Sequence, residues 1–471
     1  MAEHLQHFQV ILATAIFLLT YAVIISEKIH RAVAAMIGAA LLALTQVLSV
    51  QQAVQVIDFN TIGLLTGMMI IVGVTRQTGF FEYMAIKAAR LGKGEPFRII
   101  GSLALVTTVT SAFLDNVTTV LLIVPVTFAI AKQLEISPIP FLVAEIISSN
   151  IGGTATLIGD PPNIMIGSRT GLGFMDFFLN LTPIIIVIFI LTILAIRVIY
   201  RRQLFTSPRL QESILQLNEK DEIKDYLLLR KCLIVIALTV AGFVLHQYLH
   251  LESSVIALSG ASLLLLITRD DPSQAFQAVE WPVIFFFGGL FVVVGALDKV
   301  GVIERVAKLS LDVTNGALVP TATLILWLSA VASAFVDNIP FVATMIPLIQ
   351  DMGRLGHISN LNLLWWSLSL GACLGGNGTI IGASANVVVI GMAEKRGVLI
   401  SFISYLKVAF PLMVMSIIIS HLYLLFWYHY HGAVSFAGTL LVAIILGLTS
   451  RLLNGRLVKR EQLKVKIKPD I

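Results

Sequence analysis

The chain has 471 residues, 57% hydrophobic and only 13% charged, with a mean hydropathy of +0.92. A soluble domain carries about 25% charged residues, so a soluble fold is excluded, and the long apolar runs lack the short alternating strands of a transmembrane barrel. The formal charge of +5 comes from basic residues in loops between apolar runs; it is a topology signal, not a nucleic-acid footprint. Two cysteines, Cys232 and Cys373, are too few for a disulfide framework.

In chain order, 8–26 is a spanning run, long enough to cross a bilayer as a helix. No Lys or Arg precedes it, so it lacks the basic start of a secretory signal and reads as a retained helix. Runs 32–50 and 61–74 follow, and then a basic segment over 76–98. Runs 99–113 and 117–130 are each short for a span and meet at Asp115-Asn116, which predicts a re-entrant hairpin. Run 140–158 leads into a glycine-rich, polar stretch, and 181–200 ends the first half.

The polar segment 200–231 is a linker. In the second half, 232–248, 253–267 and 281–297 are spans. Runs 318–335 and 339–349 meet at Asp337-Asn338, and 361–373 leads into a second glycine-rich stretch. Run 403–427 is a further span, 433–448 an extra helix, and 451–468 a basic tail suited to anionic lipid.

The halves are copies. A shift of 222 residues superimposes Gly67 on Gly289, Gly73 on Gly295, Gly79 on Gly301, Asp115-Asn116 on Asp337-Asn338 and Pro125 on Pro347. A shift of 223 superimposes Gly152-Gly153 on Gly375-Gly376, Thr156 on Thr379, Gly159 on Gly382 and Asn163 on Asn386. The predicted fold is an all-α polytopic membrane protein. Residues 1–205 form the first repeat, 206–230 a cytoplasmic linker, 231–428 the second repeat, and 429–471 an extra helix and tail.

Basic loops go to the cytoplasm. They place the N-terminus outside, the C-terminus inside, and the second repeat inverted, with five crossings and one hairpin in each. Arg169, Arg305, Lys308 and Arg354 are the exceptions, lying on the outer side in this scheme.

The stretch Gly152-Gly153-Thr154-Ala155-Thr156-Leu157-Ile158-Gly159-Asp160-Pro161-Pro162-Asn163 mixes glycines, hydroxyls, an amide and a carboxylate inside apolar sequence. Backbone that leaves a helix at membrane depth must be buried in protein or line a wet cavity. Two broken segments at matching positions point to a transporter's binding site. The candidate ligands are Asp115, Asn116, Thr118, Thr119, Gly152, Thr154, Thr156, Asp160 and Asn163 from the first repeat. Asp337, Asn338, Gly376, Asn377, Thr379 and Asn386 come from the second.

Asp115, Asn116, Asp337 and Asn338 are candidates for Na⁺; Glu145, a carboxylate inside an apolar span, is a candidate proton relay. Asp160 either tunes the site's charge or caps the next half-helix. Asp-Asn is also a turn-capping pair. No nucleophile–base arrangement, zinc motif or phosphate loop is present, which argues against an enzyme.

These motifs resemble the ion transporter superfamily, most closely its branch of arsenite permeases, melanosomal P proteins and NhaD-type sodium/proton antiporters. Citrate and dicarboxylate symporters are more distant. The resemblance implies a scaffold, a transport domain with two opposed hairpins, a homodimer and elevator-type alternating access. The dicarboxylate symporters carry Ser-Asn-Thr at the hairpin tips, where Asp stands in both copies here.

The expected function is secondary transport of a small inorganic or organic ion across the cytoplasmic membrane, coupled to H⁺ or Na⁺. A sodium/proton antiporter is the main alternative; a di- or tricarboxylate symporter and an anion channel are lesser ones. Cysteines introduced at Ser207 and Gly432 are expected to label from opposite sides of the membrane; labelling from one side overturns the inverted topology.

Overall fold

A computed structural model describes residues 2–26, 28–268 and 272–430. Among these residues there is no strand. The first run comprises α1 (Ala2–Ser26), α2 (Arg31–Leu44), α3 (Val50–Val56), α4 (Phe59–Gln77), α5 (Phe80–Leu91), α6 (Pro96–Ser111), α7 (Asn116–Gln133), α8 (Ile139–Thr154), α9 (Pro161–Thr170) and α10 (Phe174–Tyr200). The linker carries α11 (Pro208–Leu215) and a 3-10 turn, Glu219–Glu222. The second run comprises α12 (Tyr226–Leu249), α13 (Ser253–Thr268), α14 (Pro272–Gln277), α15 (Trp281–Lys299), α16 (Val302–Thr314), α17 (Leu318–Phe335), α18 (Asn338–Leu355), α19 (Asn362–Gly375), α20 (Ser384–Glu394) and α21 (Phe402–Tyr430). The order of the first run is repeated element for element. Eight of these helices are long and apolar enough to cross a membrane. The expected extra helix at 433–448 and the basic tail lie outside the described residues.

Local signals explain the boundaries, including three that sequence periodicity misplaces. The run 32–50 is not one helix. It stops at Leu44, Gln46 takes a left-handed φ of 56°, and Ser49 opens α3 with a reciprocal capping box to Gln52. The basic segment 76–98 contains a full amphipathic helix, α5, which buries Phe81, Ala85 and Ala88. The returning arms of the hairpins are longer than their apolar cores suggest, because α7 continues through Lys132 and Gln133 and α18 through Leu355, each reaching 18 residues.

Inversion is visible in how the two copies meet. Val56, just before α4, lies against Gly295 near the end of α15; Ala278, just before α15, lies against Gly73 near the end of α4. The corresponding helices α4 and α15 are therefore antiparallel. Each also packs on a helix of the other repeat, α4 on α13 and α15 on α2. The hairpins interlock in the same crossed way, α7 with α20 and α18 with α9.

Three of the four basic residues that depart from the charge rule are ion-paired. Arg169 pairs with Asp58, Lys308 with Glu304, and Arg354 with both Glu304 and Asp351.

The crossed pairs depend on glycine. A Cβ on Gly67 would lie 2.5 Å from the carbonyl carbon of Ala257, and one on Gly289 would lie 2.6 Å from that of Ala35. Backbone blocks both positions, so no rotamer change relieves the clash. Overpacking of this kind costs about 1–3 kcal/mol. Gly67→Val and Gly289→Val are each expected to lower the thermal unfolding midpoint of the detergent-solubilised protein. Gly101→Ala, with nothing within 4 Å of the added carbon, is expected to stay at or above wild type.

Candidate functional site

Each hairpin tip is made by an Asp that caps the returning helix. Asp115 Oδ1 accepts the Thr118 amide at 2.9 Å, and Asp337 Oδ1 accepts the Ile339 amide at 3.0 Å. Capping thus accounts for one oxygen of each carboxylate. The remaining chemistry differs. Asp337 Oδ2 accepts from Arg31 Nη1 at 2.8 Å and from Ser384 Oγ at 2.8 Å, and Arg31 Nη1 also reaches Ser384 Oγ at 2.6 Å. The positions matching Arg31 and Ser384 in the other copy are Ser253 and Pro161, so Asp115 has no equivalent cation.

Behind the tips, the two long spans break as the glycine-rich stretches predict. Residues 155–160 separate α8 from α9, and 376–383 separate α19 from α20. The freed carbonyls are satisfied by side chains from the same stretches. Asn163 Nδ2 donates to the carbonyls of Thr154 and Thr156 at 3.2 and 2.9 Å; Asn386 Nδ2 donates to those of Gly376 and Thr379 at 2.7 and 2.9 Å. Thr156 donates to the Ala112 carbonyl and Thr379 to that of Ala334, tying each break to its neighbouring hairpin. A chain of amides links the copies at the centre. Asn116 donates to Asn150 at 3.1 Å, and Asn150 donates to Asn377 and Asn386 at 2.9 and 3.0 Å.

A cleft of about 510 Å³, including its mouth, opens beside these tips. Its polar lining is Asp115, Asn116, Asp160, Asn338, Glu280, Ser384 and Arg31. Asp160 does not cap α9; its oxygens instead face Asn338 Nδ2 of the other hairpin, each at 3.4 Å. Glu280 stands in the turn before α15. Burial raises its carboxyl above the ordinary range, the Asp115 charge adds to this, and Arg31 opposes it.

At the opposite end of the molecule the equivalent groups are bound together. Ser168 donates to Asp58 at 2.8 Å, Arg169 pairs with Asp58 at 3.5 Å, and Asn60 donates to Ser168 at 3.1 Å. These contacts bind the end of α9 to the start of α4. Glu280 is the repeat counterpart of Asp58, so equivalent carboxylates line a cleft in one case and are ion-paired in the other.

The candidate ligands therefore divide. Asp115, Asn116, Asp160 and Asn338 line the cleft, and Asp337 stands beside it, paired to Arg31. Gly152, Thr154, Thr156, Asn163, Gly376, Asn377, Thr379 and Asn386 do not line it; they are packed behind it. Gly152 faces the backbone of Thr108 on α6, so it is a packing glycine. Thr154 bonds back to the Asn150 carbonyl at 2.7 Å, and Tyr405 donates to the Asn377 carbonyl at 3.3 Å. Thr118 contributes its amide to the Asp115 cap, and Thr119 is buried one residue further on.

Glu145 is 1% exposed and accepts from Thr127; its Oε2 has no hydrogen-bond partner. Cys373 packs against Asn163 at 3.7 Å. Sequence reasoning misses Arg31, Glu280 and Ser384, which lie outside the repeated motifs or on their weakest match, and Asn150, which stands two residues before the first glycine-rich stretch. Among the described residues, no three His, Cys, Asp or Glu side chains are grouped to hold a metal ion.

Asn163→Ala would leave two buried carbonyls without a donor, and Asn386→Ala one, that of Gly376, because the Thr379 carbonyl also accepts from the Gly382 amide. The loss is about 1–3 kcal/mol per unsatisfied group. Both variants are expected to show a lower thermal midpoint. Asp160→Asn, which keeps shape and acceptor, is expected to unfold at the wild-type temperature. A normal midpoint for both asparagine variants would show that the breaks do not rest on these bonds.

The profile of the family described as Citrate transporter, CitMHS, matches residues 21–371. The uncharacterized transporter Mb2703 of Mycobacterium bovis is 43% identical over 89% of this chain and 98% of its own length. The P protein of Homo sapiens is 37% identical over 88% of this chain, which spans 60% of that longer protein. Among solved structures, the YdaH transporter of Alcanivorax borkumensis, described as having an unusual topology, aligns over 90% of this chain and 98% of its own. Its TM-score is 0.57 at 15% identity, a likeness of fold. By sequence and by architecture, the chain belongs to the CitMHS citrate transporter family, within the ion transporter superfamily.

Proposed function

We propose that the protein is a secondary active transporter of a small inorganic or organic ion, of the arsenite and anion-permease type, coupled to H⁺ or Na⁺. The observation that carries this reading is the polar cleft beside the two hairpin tips. Two inverted hairpin tips, with opposed half-helix starts, meet at a polar recess that opens at one end of the molecule, while at the other end the equivalent groups are bound together. Alternating access requires such a site, reachable from one side at a time. The cleft opens where α2 and α15 begin, the end to which the basic loops assign the cytoplasm, so the conformation is inward-open. The re-entrant path of the hairpins, the elevator movement and a homodimer in the cytoplasmic membrane belong to the same reading.

A second reading, sodium/proton antiport, is favoured by the charge of the lining. Asp115, Asp160 and Glu280 line the cleft against one basic residue, Arg31. Such a surplus of carboxylates suits a small cation and resists a multiply charged anion until cations bind. For that reason citrate, which gives the family its name, fits this cleft less well than a smaller ion. Glu145, buried one helix back from the tips, is the candidate to hold a proton in either scheme.

Purified protein in liposomes tests the proposal. An inward Na⁺ or H⁺ gradient is expected to drive uptake or exchange against the gradient of the transported ion. Asp115→Asn and Asp337→Asn are expected to abolish the gradient dependence while eluting as folded protein. Survival of transport and of its pH dependence in both variants would refute the ion-site assignment. Flux that only runs downhill, with a unitary current, would replace the transporter with a channel.

A further inference from the structure

Asp337 is the tip carboxylate placed for a cation, and in this structure the place is already held by one. Arg31, Asp337 and Ser384 close a three-membered ring of contacts at 2.8, 2.8 and 2.6 Å. Arg31 comes from the start of α2, which packs chiefly on α1, α3 and α15. Asp337 and Ser384 come from the second hairpin and from the helix that follows the second break. The pair is only partly shielded, with side-chain exposures of 25% and 15%, so water and ions reach it from the cleft.

Nothing in the fold obliges this contact. Asp337 is already satisfied as a helix cap through its other oxygen, and Arg31 has the Phe286 ring beneath it, 5.0 Å from the centroid. If the guanidinium leaves, it has somewhere to go. Glu280 already feels its charge, and Asp115 lies beyond Glu280 on the same wall. Asp160, just before α9, accepts from Asn338, the residue next to Asp337, and Lys28 and His30 lie on Arg31's own loop. A small cation arriving at Asp337 would meet that carboxylate and the Ser384 hydroxyl, both oxygen donors.

We infer that Arg31 is a tethered stand-in for the coupling cation: it competes with Na⁺ or H⁺ for Asp337, and cation binding releases it toward Glu280. This deepens the coupled-transport reading and rests on it. The competition keeps the empty site near charge balance on the Asp337 side, and it ties α2 to the second hairpin only while that site is unloaded. Cation binding and freedom of the hairpin to move are then linked, and the linkage is reciprocal. The first hairpin has no such device, since Ser253 stands where Arg31 would be.

The test reads cation binding without flux. The full chain in detergent is titrated with NaCl at fixed pH and ionic strength, and separately with pH in the absence of Na⁺, following the thermal midpoint, because a ligand of the folded form raises it. Arg31→Gln is expected to move half-saturation to a lower cation concentration by about tenfold, the scale of an ordinary coupling free energy. Arg31→Lys is expected to stay close to wild type, and Asp337→Asn to remove the response of whichever ion acts there. Each curve is referred to its own variant's ion-free midpoint, so a general loss of stability in Arg31→Gln does not imitate the shift. An Arg31→Gln curve that coincides with wild type, or moves to weaker binding, overturns the inference while leaving the coupled reading intact. A wild-type protein that responds to neither ion overturns both.

Discussion

Two transmembrane paths lose their helical hydrogen bonds midway, and lipid offers nothing to replace them. The architecture follows from how that deficit is met. Asn163 and Asn386 each give both amide hydrogens to carbonyls of their own broken stretch, and Thr156 and Thr379 tie those stretches to the hairpin tips. The oxygens left on the two asparagines are used as well. Ser369 and Cys373 donate to Asn163, and Asn150 donates to Asn386. The asparagines that satisfy each break are in turn held by side chains of the other repeat.

Much of this was legible in the sequence, for identifiable reasons. Glycine, proline and Asp-Asn pairs have few substitutes at a close crossing, a kink or a capped tip, so they kept the repeat on one diagonal after the aliphatic positions drifted. The breaks were legible because polar residues do not accumulate inside an apolar span without a reason. What sequence did not reveal is direction. Asn163 and Asn386 read as ligands, yet their amides point into the backbone, and nothing in the spacing separates an amide that serves a solute from one that serves a carbonyl. Arg31 and Asp337 are 306 residues apart and belong to no shared motif. Arg31 looks like any basic residue at a loop end until the fold brings the second hairpin to it.

The copies have diverged where they face the cleft and stayed alike where they face each other. Asp115 and Asp337 cap their helices in the same way, but only Asp337 has a guanidinium. Asp160 stands opposite Ala383, and Pro161 opposite Ser384. Asp58 is held by Arg169 and Ser168, while its counterpart Glu280 is left at the open mouth. A symmetric frame has in this way acquired two chemically unequal ends.

The close crossings of α2 with α15 and of α4 with α13 also bear on how the protein is made. Each pair joins a helix from early in the chain to one synthesised roughly two hundred residues later. Through most of translation, α2 and α4 therefore wait in the membrane with their small-residue faces uncovered. The first repeat cannot close on itself, because the surfaces it would close with belong to the second. Assembly is accordingly a late event in which two half-finished bundles dock, and the polar linker that joins them sets how quickly they meet.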